Sequence, residues 1–122
     1  MGQKLVTVGA SAIKLLEWND FRVELSVTML PTTLIAGNTG RVHVGVGQVP
    51  NSVAGDPNQG DALAQSDSLK FSESFPGDPT VPHNEIWAIA TIAGQVVRVF
   101  EEVFDPSKPT RAIPVRQVPG GP

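Results

Sequence analysis

The chain contains two histidines, His43 and His83, which are its only imidazole side chains. A hydrolase would need one of them beside a nucleophile. The segment Gly9-Ala10-Ser11 lacks the second glycine of a nucleophile elbow, and there is no HExxH metal pair. We therefore expect no catalytic residues, with His43 on the polar face of a strand and His83 in a loop. A small hydrolase that uses either histidine is the least supported alternative.

Asp56, Asn58 and Asp61 bring oxygen ligands close together, as hard cations such as calcium require. The fragment lacks the later glutamate of an EF-hand loop, and clusters of Asp, Pro, Asn and Gly are typical of turns. With no cysteine in the chain, a thiolate nucleophile and a cysteine-bound zinc ion are excluded as well. The sequence predicts a turn here and neither a metal site nor a cofactor.

Trp18 and Trp87 could each offer a flat apolar face for stacking. Trp87 belongs to the most hydrophobic stretch of the chain, which favours burial in the core. Trp18 stands in a turn cluster beside Asn19 and Asp20, where partner contact and simple packing are both open.

The elements that must position these residues are centred on the hydrophobic stretch from Asn84 to Phe104. Its β-branched residues and the central Ala93-Gly94-Gln95 turn signal predict a hairpin of two paired core strands. The side chains that we expect to be buried there are Trp87, Ile89, Val97 and Val99.

Phe100 and Phe104 alternate onto one face of the second strand, together with Arg98 and Glu102. Because aromatic residues and Arg are enriched at protein interfaces, this face is a candidate subunit interface. The alternative is that one end of a core strand emerges into solvent.

Further strands are predicted from alternating segments that end at glycine and proline turns. Residues 21–29 alternate strictly, with Phe21, Val23, Leu25, Val27 and Met29 on the apolar face. The other predicted strands are 4–8 at a sheet edge, 12–17, a hairpin of 33–36 with 41–47, and 69–75. A glycine such as Gly45 within a strand marks a bulge or a close backbone approach, and residues 48–68 form a long polar loop of the kind that binds ligands or partners.

This pattern predicts an all-β body over residues 1–104, a small antiparallel β-sandwich or a partly closed barrel. A single small sandwich must protect its edge strands, so we expect a homo-oligomer, with a trimer favoured. The net charge of −3 argues against a general nucleic-acid binder. No apolar run approaches the roughly 20 residues of a membrane span, and no signal sequence is evident, so we expect a soluble protein without a membrane partner.

Residues 105–122 differ from the body and predict a Pro-rich, extended C-terminal arm. They contain five prolines and carry Lys108, Arg111 and Arg116 against Asp105. Proline removes backbone donors and favours polyproline II structure, so the arm needs another surface for its apolar groups. The expected contacts are Arg111, Ile113, Val115, Arg116 and Val118.

The order of several motifs resembles a known group of proteins. They are Val-Thr-x-Gly-x-Ser-Ala-x-x-Leu-Leu (Val6 to Leu16), Asn-x-x-Arg-Val-x-Leu-x-Val (Asn19 to Val27), Val-x-Val-Gly (Val42 to Gly45), Leu-x-Phe (Leu69 to Phe71), and the Ile-Trp-Ala-Ile-Ala to Val-Arg-Val segment within Glu85 to Glu101. Together they resemble small β-sandwich virion proteins of tailed bacteriophages, commonly capsid decoration (cement) or head-associated structural proteins. The long polar insertion at 48–68 and the Pro-rich arm depart from that pattern.

The resemblance implies a non-enzymatic protein that binds the outer capsid surface, has the major capsid protein as its partner and stabilises the head. On this hypothesis the arm lies on a neighbouring subunit or on the capsid lattice. The alternative is a head-fibre or receptor- or glycan-binding module that uses Trp18 and the 48–68 loop.

Overall fold

A computed structural model describes residues 2–53, 56 and 58–104 of the chain. These residues form eight β-strands and no helix. The strands are β1 (Gly2–Val8), β2 (Ile13–Leu16), β3 (Arg22–Met29), β4 (Val42–Val46), β5 (Asp61–Leu63), β6 (Ser68–Ser72), β7 (Ile86–Ala90) and β8 (Gln95–Val103).

The strands form two four-stranded antiparallel sheets: sheet A in the order β1-β8-β3-β6 and sheet B in the order β2-β7-β4-β5. They pair as nested couples, β1 with β8, β2 with β7, β3 with β6 and β4 with β5, as if one long hairpin had been rolled up. This pairing is that of an eight-stranded jelly roll. The predicted all-β antiparallel sandwich is confirmed, and its sheets do not close into a barrel.

The hydrophobic core lies between the two sheets. In β3, Leu25, Val27 and Met29 are fully buried, as their alternation predicts. Val97 and Val99 of β8 are buried, as expected, and alternate with the half-buried Val96, the exposed Arg98 and the half-buried Phe100. The period of two in the sequence therefore identified the inward face of both strands.

The predicted hairpin over residues 84–104 is wrong in its pairing. β7 lies in sheet B between β2 and β4, whereas β8 lies in sheet A between β1 and β3. The short connection between them crosses from one sheet to the other and includes Gly94, with φ 89°. A turn that contains glycine can join two strands of one hairpin or two strands of different sheets. Which of the two forms depends on the strands that each segment pairs with, and these are distant in the sequence.

Trp87 and Ile89, which we expected in the core, are half-buried. β7 buries only its other face, formed by Ile86, Ala88 and Ala90. The expectation that the strand packs on both faces was therefore wrong.

Residues 33–36 form turns and not the predicted strand, so they make no hairpin with residues 41–47. The N–H groups of Leu34 and Ile35 both donate to the carbonyl oxygen of Pro31, at 3.0 Å. This local hydrogen bonding overrides the β propensity of the two side chains.

The buried side chain of Asn38 holds the connection from β3 to β4 in place. Its Nδ2 donates to the carbonyl oxygens of Leu30 and Val96, both at 2.8 Å, and its Oδ1 accepts from the Val96 N–H at 2.7 Å. The amide supplies backbone partners that a neighbouring strand would otherwise provide.

β4 is buried on both faces, which corrects the expectation that His43 lies on a polar face. His43 is only 3% exposed. A Cβ added at Gly45 would lie 2.3 Å from the carbonyl oxygen of Gln48, so the predicted close backbone approach is confirmed. The chain after β4 thus passes over the face that His43 and Gly45 share.

The strands predicted over 4–8 and 12–17 are confirmed as β1 and β2, with β1 at a sheet edge. The strand predicted over 69–75 corresponds to β6, which ends at Ser72, so residues 73–75 lie in the following loop. The predicted loop over 48–68 contains β5 and the start of β6, and part of it, residues 54, 55 and 57, lies outside the described residues. The predicted arm 105–122 also lies outside them, with its candidate contacts Arg111, Ile113, Val115, Arg116 and Val118.

Candidate interaction surface

The antiparallel topology gathers three segments, residues 17–23, 73–85 and 101–104, at one end of the sandwich, here called the tail end. Backbone hydrogen bonds join them: Asn19 N–H to the His83 carbonyl (2.9 Å), Glu73 N–H to the Val23 carbonyl (3.1 Å) and Phe104 N–H to the Phe21 carbonyl (2.7 Å). The tail end is therefore one connected surface, and it includes Phe104, the last residue that the structure describes.

Arg22 is the buried side chain around which the tail end is built, with 1% of its surface exposed. Its Nε donates to Oε2 of Glu101 at 2.7 Å. Its other nitrogens donate to the carbonyl oxygens of Glu17 (2.6 Å), Pro82 (2.8 Å) and Asn84 (2.9 Å). The Arg22 guanidinium thus links β8 to the β2–β3 and β6–β7 connections. Its charge is paired with the Glu101 carboxylate, and its other hydrogen bonds go to backbone carbonyl oxygens.

Sequence reasoning missed Arg22, because strict alternation placed it on the solvent face with Glu24. The register of β3 against β8 shifts between these two residues, which leaves Val23 as the extra residue of a β-bulge. A bulge reverses the sides to which the preceding residues point. Arg22 therefore turns inward and Phe21 becomes exposed, and no motif around Val23 signals this.

Three aromatic side chains of the tail end are exposed: Trp18 by 58%, Phe21 by 48% and Phe75 by 55%. The Nε1 of Trp18 donates to Oδ1 of Asp20 at 2.7 Å, which orients the indole. The sequence left open whether Trp18 contacts a partner or packs against the protein itself. The structure shows that Trp18 is not packed into the core.

Trp87, by contrast, is half-buried. The Lys14 ammonium lies 5.3 Å from its ring centroid and is also bound by Glu85 at 2.9 Å. The hydrogen bond between Lys14 and Glu85 lowers the pKa of the Glu85 carboxyl and raises the pKa of the Lys14 ammonium. The indole of Trp87 thus takes part in a local cation–π and ion-pair arrangement.

An open cleft of about 240 Å³ lies among these segments. Asp20, Phe21, Glu73, His83 and Phe104 are among the residues that line it, together with the edge of Arg22. The cleft combines two aromatic rings with two carboxylates, a combination suited to apolar and cationic groups. Phe104, a predicted partner contact, lies here.

Asp78 stabilises the 73–85 segment from within. Its carboxylate accepts hydrogen bonds from the Ser74 N–H (2.9 Å), the Thr80 N–H (3.0 Å) and the Thr80 hydroxyl (2.8 Å). These bonds, first of all that from Ser74, lower the pKa of Asp78. The loop that carries Phe75 is therefore held by an ionised side chain.

Phe100, the other predicted interface residue in the body, belongs to a different surface. It is half-buried in β8, with Gln3 and Ser26 as its cross-strand partners. Leu5, diagonal to it across the β1–β8 pair, is 62% exposed. The structure thus brings Trp18 and Phe104 to the tail end and leaves Phe100 on the outer face of sheet A.

The residues considered for catalysis or metal binding are not brought together. Ser11 lies in the connection from β1 to β2, at the opposite end from His83. The Nδ1 of His43 is buried without a hydrogen-bond partner, and burial, then the charge of Arg41, lowers its pKa. Asp56 Oδ1 accepts from the Asn58 N–H at 2.8 Å, as in a turn.

Across residues 2–53, 56 and 58–104, no group of three or more His, Asp or Glu is arranged to hold a metal ion. The same residues contain no helix long and apolar enough to cross a membrane. Comparisons with family models, with curated proteins and with solved structures found no match for this chain.

Proposed function

We propose that this chain is a non-enzymatic virion structural protein of a tailed bacteriophage. In this proposal it is a decoration (cement) protein that binds the outer surface of the major capsid protein lattice as a homo-oligomer, with a trimer favoured, and stabilises the head. The motif order within residues 6–101 is the starting point. Jelly-roll sandwiches serve in viral capsids and in lectins, and many unrelated functions share such folds, so the fold alone does not select among them.

The observation that carries the proposal is the exposed aromatic surface of the tail end. Trp18, Phe21 and Phe75 are exposed on a surface held in place by the buried Arg22 network. A cluster of exposed aromatic side chains on a well-braced scaffold is typical of a protein-binding surface, because little side-chain entropy is lost on docking. The basic, Pro-rich residues 105–122 follow directly and add a second adhesive element.

Capsid attachment is tested by the copy number of the protein on purified particles, measured by quantitative mass spectrometry. We expect a fixed copy number for the wild type and a marked loss of occupancy for Trp18→Ala and for a chain without residues 106–122. Leu34→Ala, at an exposed apolar residue of the opposite end, is the matched control and should keep full occupancy. Unchanged occupancy in both the Trp18 variant and the truncated chain would refute the proposal.

A head-fibre or receptor- or glycan-binding module is the second candidate, and the geometry of Trp18 favours it. The exposed indole is oriented by Asp20, whose carboxylate lies beside it and can accept hydrogen bonds from sugar hydroxyls. A glycan array probed with the isolated protein separates the two functions. A specific glycan signal that disappears in Trp18→Ala but persists in Leu34→Ala would favour the second candidate.

A further inference from the structure

Sheet A ends at β1 on one side and at β6 on the other. Among residues 2–53, 56 and 58–104, β1 pairs only with β8 and β6 pairs only with β3. An edge strand presents a row of N–H and C=O groups to which another strand can add. Both edges of sheet A are therefore candidate pairing sites.

The hydrogen bonds of β8 identify which backbone groups of β1 face outward. The Leu30 N–H donates to the Val96 carbonyl oxygen at 3.4 Å, so Val96 and every second residue after it face β3. The intervening residues of β8 face β1, where they pair with Lys4 and Val6. The residues of β1 whose N–H and C=O groups point to the open edge are Gln3, Leu5 and Thr7.

The same reasoning identifies the outward groups of β6. The Met29 N–H donates to the Asp67 carbonyl oxygen at 2.9 Å, so the backbone groups of Asp67, Leu69 and Phe71 face β3. The residues of β6 that face the open edge are Ser68, Lys70 and Ser72. The two edges thus offer backbone groups at the same spacing.

The side chains disfavour pairing of either edge with its own copy in a second molecule. Two β6 strands paired about Lys70 would place two lysines directly opposite each other, which is destabilising. Two β1 strands paired about Leu5 would place the charged Lys4 opposite the apolar Val6 twice. Self-pairing therefore wastes the chemistry of both edges.

Pairing of β1 with β6 gives better partners. With Leu5 opposite Lys70, Val6 lies opposite Leu69, and both of these apolar side chains are only partly buried against the core of their own copy. The remaining pairs are Gln3 with Ser72, Lys4 with Phe71 and Thr7 with Ser68. Strand directions also fit, because β1 and β6 run in opposite directions in sheet A.

We propose that β1 of one copy pairs antiparallel with β6 of the next copy, with Leu5 opposite Lys70. Such a head-to-tail contact forms a closed ring when the rotation between copies allows it, and in a ring of three no edge of sheet A stays open. This inference rests on the homo-oligomer part of the proposed function and names its contact. It does not require a capsid.

Single-cysteine variants test the contact in the full-length protein, because the natural chain has no cysteine. Thr7→Cys and Ser68→Cys are mixed and oxidised, and mass spectrometry identifies the disulfide-linked peptides. Paired residues of an antiparallel ladder have Cα atoms about 4.5 to 5.5 Å apart, a distance that a disulfide spans. Since each chain has one cysteine, a 7–68 disulfide can only join two copies.

The matched control is Thr7→Cys mixed with Ser72→Cys, at another exposed serine of β6. Its two thiols are four residues, or about 13 Å, out of the proposed register. We expect the 7–68 disulfide at a yield several-fold above that of 7–72. Equal yields would overturn the proposal, whatever else covers these edges. A 3–7 disulfide from Gln3→Cys mixed with Thr7→Cys, more abundant than 7–68, would indicate β1–β1 pairing and would overturn it as well.

The number of copies in the ring is read from a chain that carries both Thr7→Cys and Ser68→Cys. Within one chain these positions are three strands apart, about 14 Å, so they cannot link to each other. On a non-reducing gel the linked species should end at three copies. A series that continues to larger species would contradict a closed ring of three.

Leu5→Pro in the Thr7→Cys chain tests the backbone ladder itself. Proline is tolerated in an edge strand where the missing N–H faces outward, so the β1–β8 pairing should persist. The 7–68 yield should fall several-fold relative to Leu5→Thr, which keeps the N–H, while urea denaturation shows similar stability for the two variants. An unchanged yield would overturn the proposed register. If Leu5→Pro fails to fold, the comparison of 7–68 with 7–72 still decides.

These experiments contain no capsid. Failure of the β1–β6 contact is therefore distinguishable from failure of capsid attachment, which is measured by occupancy on particles.

Discussion

The guanidinium of Arg22 makes four hydrogen bonds, three of them to backbone carbonyl oxygens from two different connections. A buried charge is tolerated only when it is paired and its donors are satisfied. At the scale of the residue, the tail end therefore depends on this one side chain for its shape.

Arg22→Met should destabilise the protein by about 3 to 5 kcal/mol, because it removes the cation that pairs with Glu101 and the donor to three backbone carbonyl oxygens. Urea denaturation measures the loss. Arg98→Met, on an exposed residue of β8, is the control and should change the free energy of unfolding by no more than about 0.5 kcal/mol. Similar values for the two variants would rule out the structural role of Arg22.

His43 should make stability depend on pH. Its pKa is lowered in the folded protein, by burial first and by Arg41 second, so the unfolded chain binds a proton more readily. The free energy of unfolding is then fully retained above the unfolded pKa of about 6.5 and decreases as the pH falls through that value towards the folded pKa.

Urea denaturation at a series of pH values compares the wild type with His43→Gln, which cannot gain this charge. The decrease below pH about 6.5 should be smaller in the variant. Arg41→Gln should retain most of it, since burial is the larger cause. An identical pH dependence in His43→Gln would show that another group is responsible.

At the scale of the element, β7 and β8 differ in what their exposed faces do. β7 buries Ile86, Ala88 and Ala90 and directs Trp87 towards Lys14 and Glu85. β8 buries Val97 and Val99, and its opposite face carries the exposed Arg98 and the half-buried Phe100. Each strand therefore has one core face, and the aromatic residues of both lie on the other.

Ile86→Ala should cost about 2 to 5 kcal/mol, because it removes a fully buried aliphatic group and leaves a cavity. Trp87→Ala should cost less, although the side chain removed is larger, because Trp87 packs on the surface of sheet B. Urea denaturation of the two variants ranks them. A greater loss for Trp87→Ala would indicate that the outer face of sheet B is a second core.

At the scale of the whole molecule, the sandwich has one long regular edge. β1 pairs with β8 over seven residues without a register shift, whereas β2 on the same side is short and contains a shift. Lys4 is the only charged residue of β1, and Leu5 is exposed. Long, regular edges with exposed apolar residues favour association.

The isolated protein should therefore be a homo-oligomer, with a trimer expected, and Phe100→Ala should shift it towards smaller species. Multi-angle light scattering measures the mass, with Leu34→Ala at the opposite end as the control. A strict monomer for the wild type, both free and on particles, would contradict the expectation. An unchanged mass for Phe100→Ala would remove Phe100 from the interface.

The local pattern of the sequence determined the all-β class and the inward faces of β3 and β8. Successive side chains of a strand point to opposite faces whichever strands it pairs with. The buried face can therefore be predicted from the alternation of apolar residues alone. The tertiary structure alone decided that β7 and β8 lie in opposite sheets, that a bulge turns Arg22 inward, and that His43 is buried. Each of these depends on partners far away in the sequence, and a turn or an alternating segment has the same local composition whichever partner it meets.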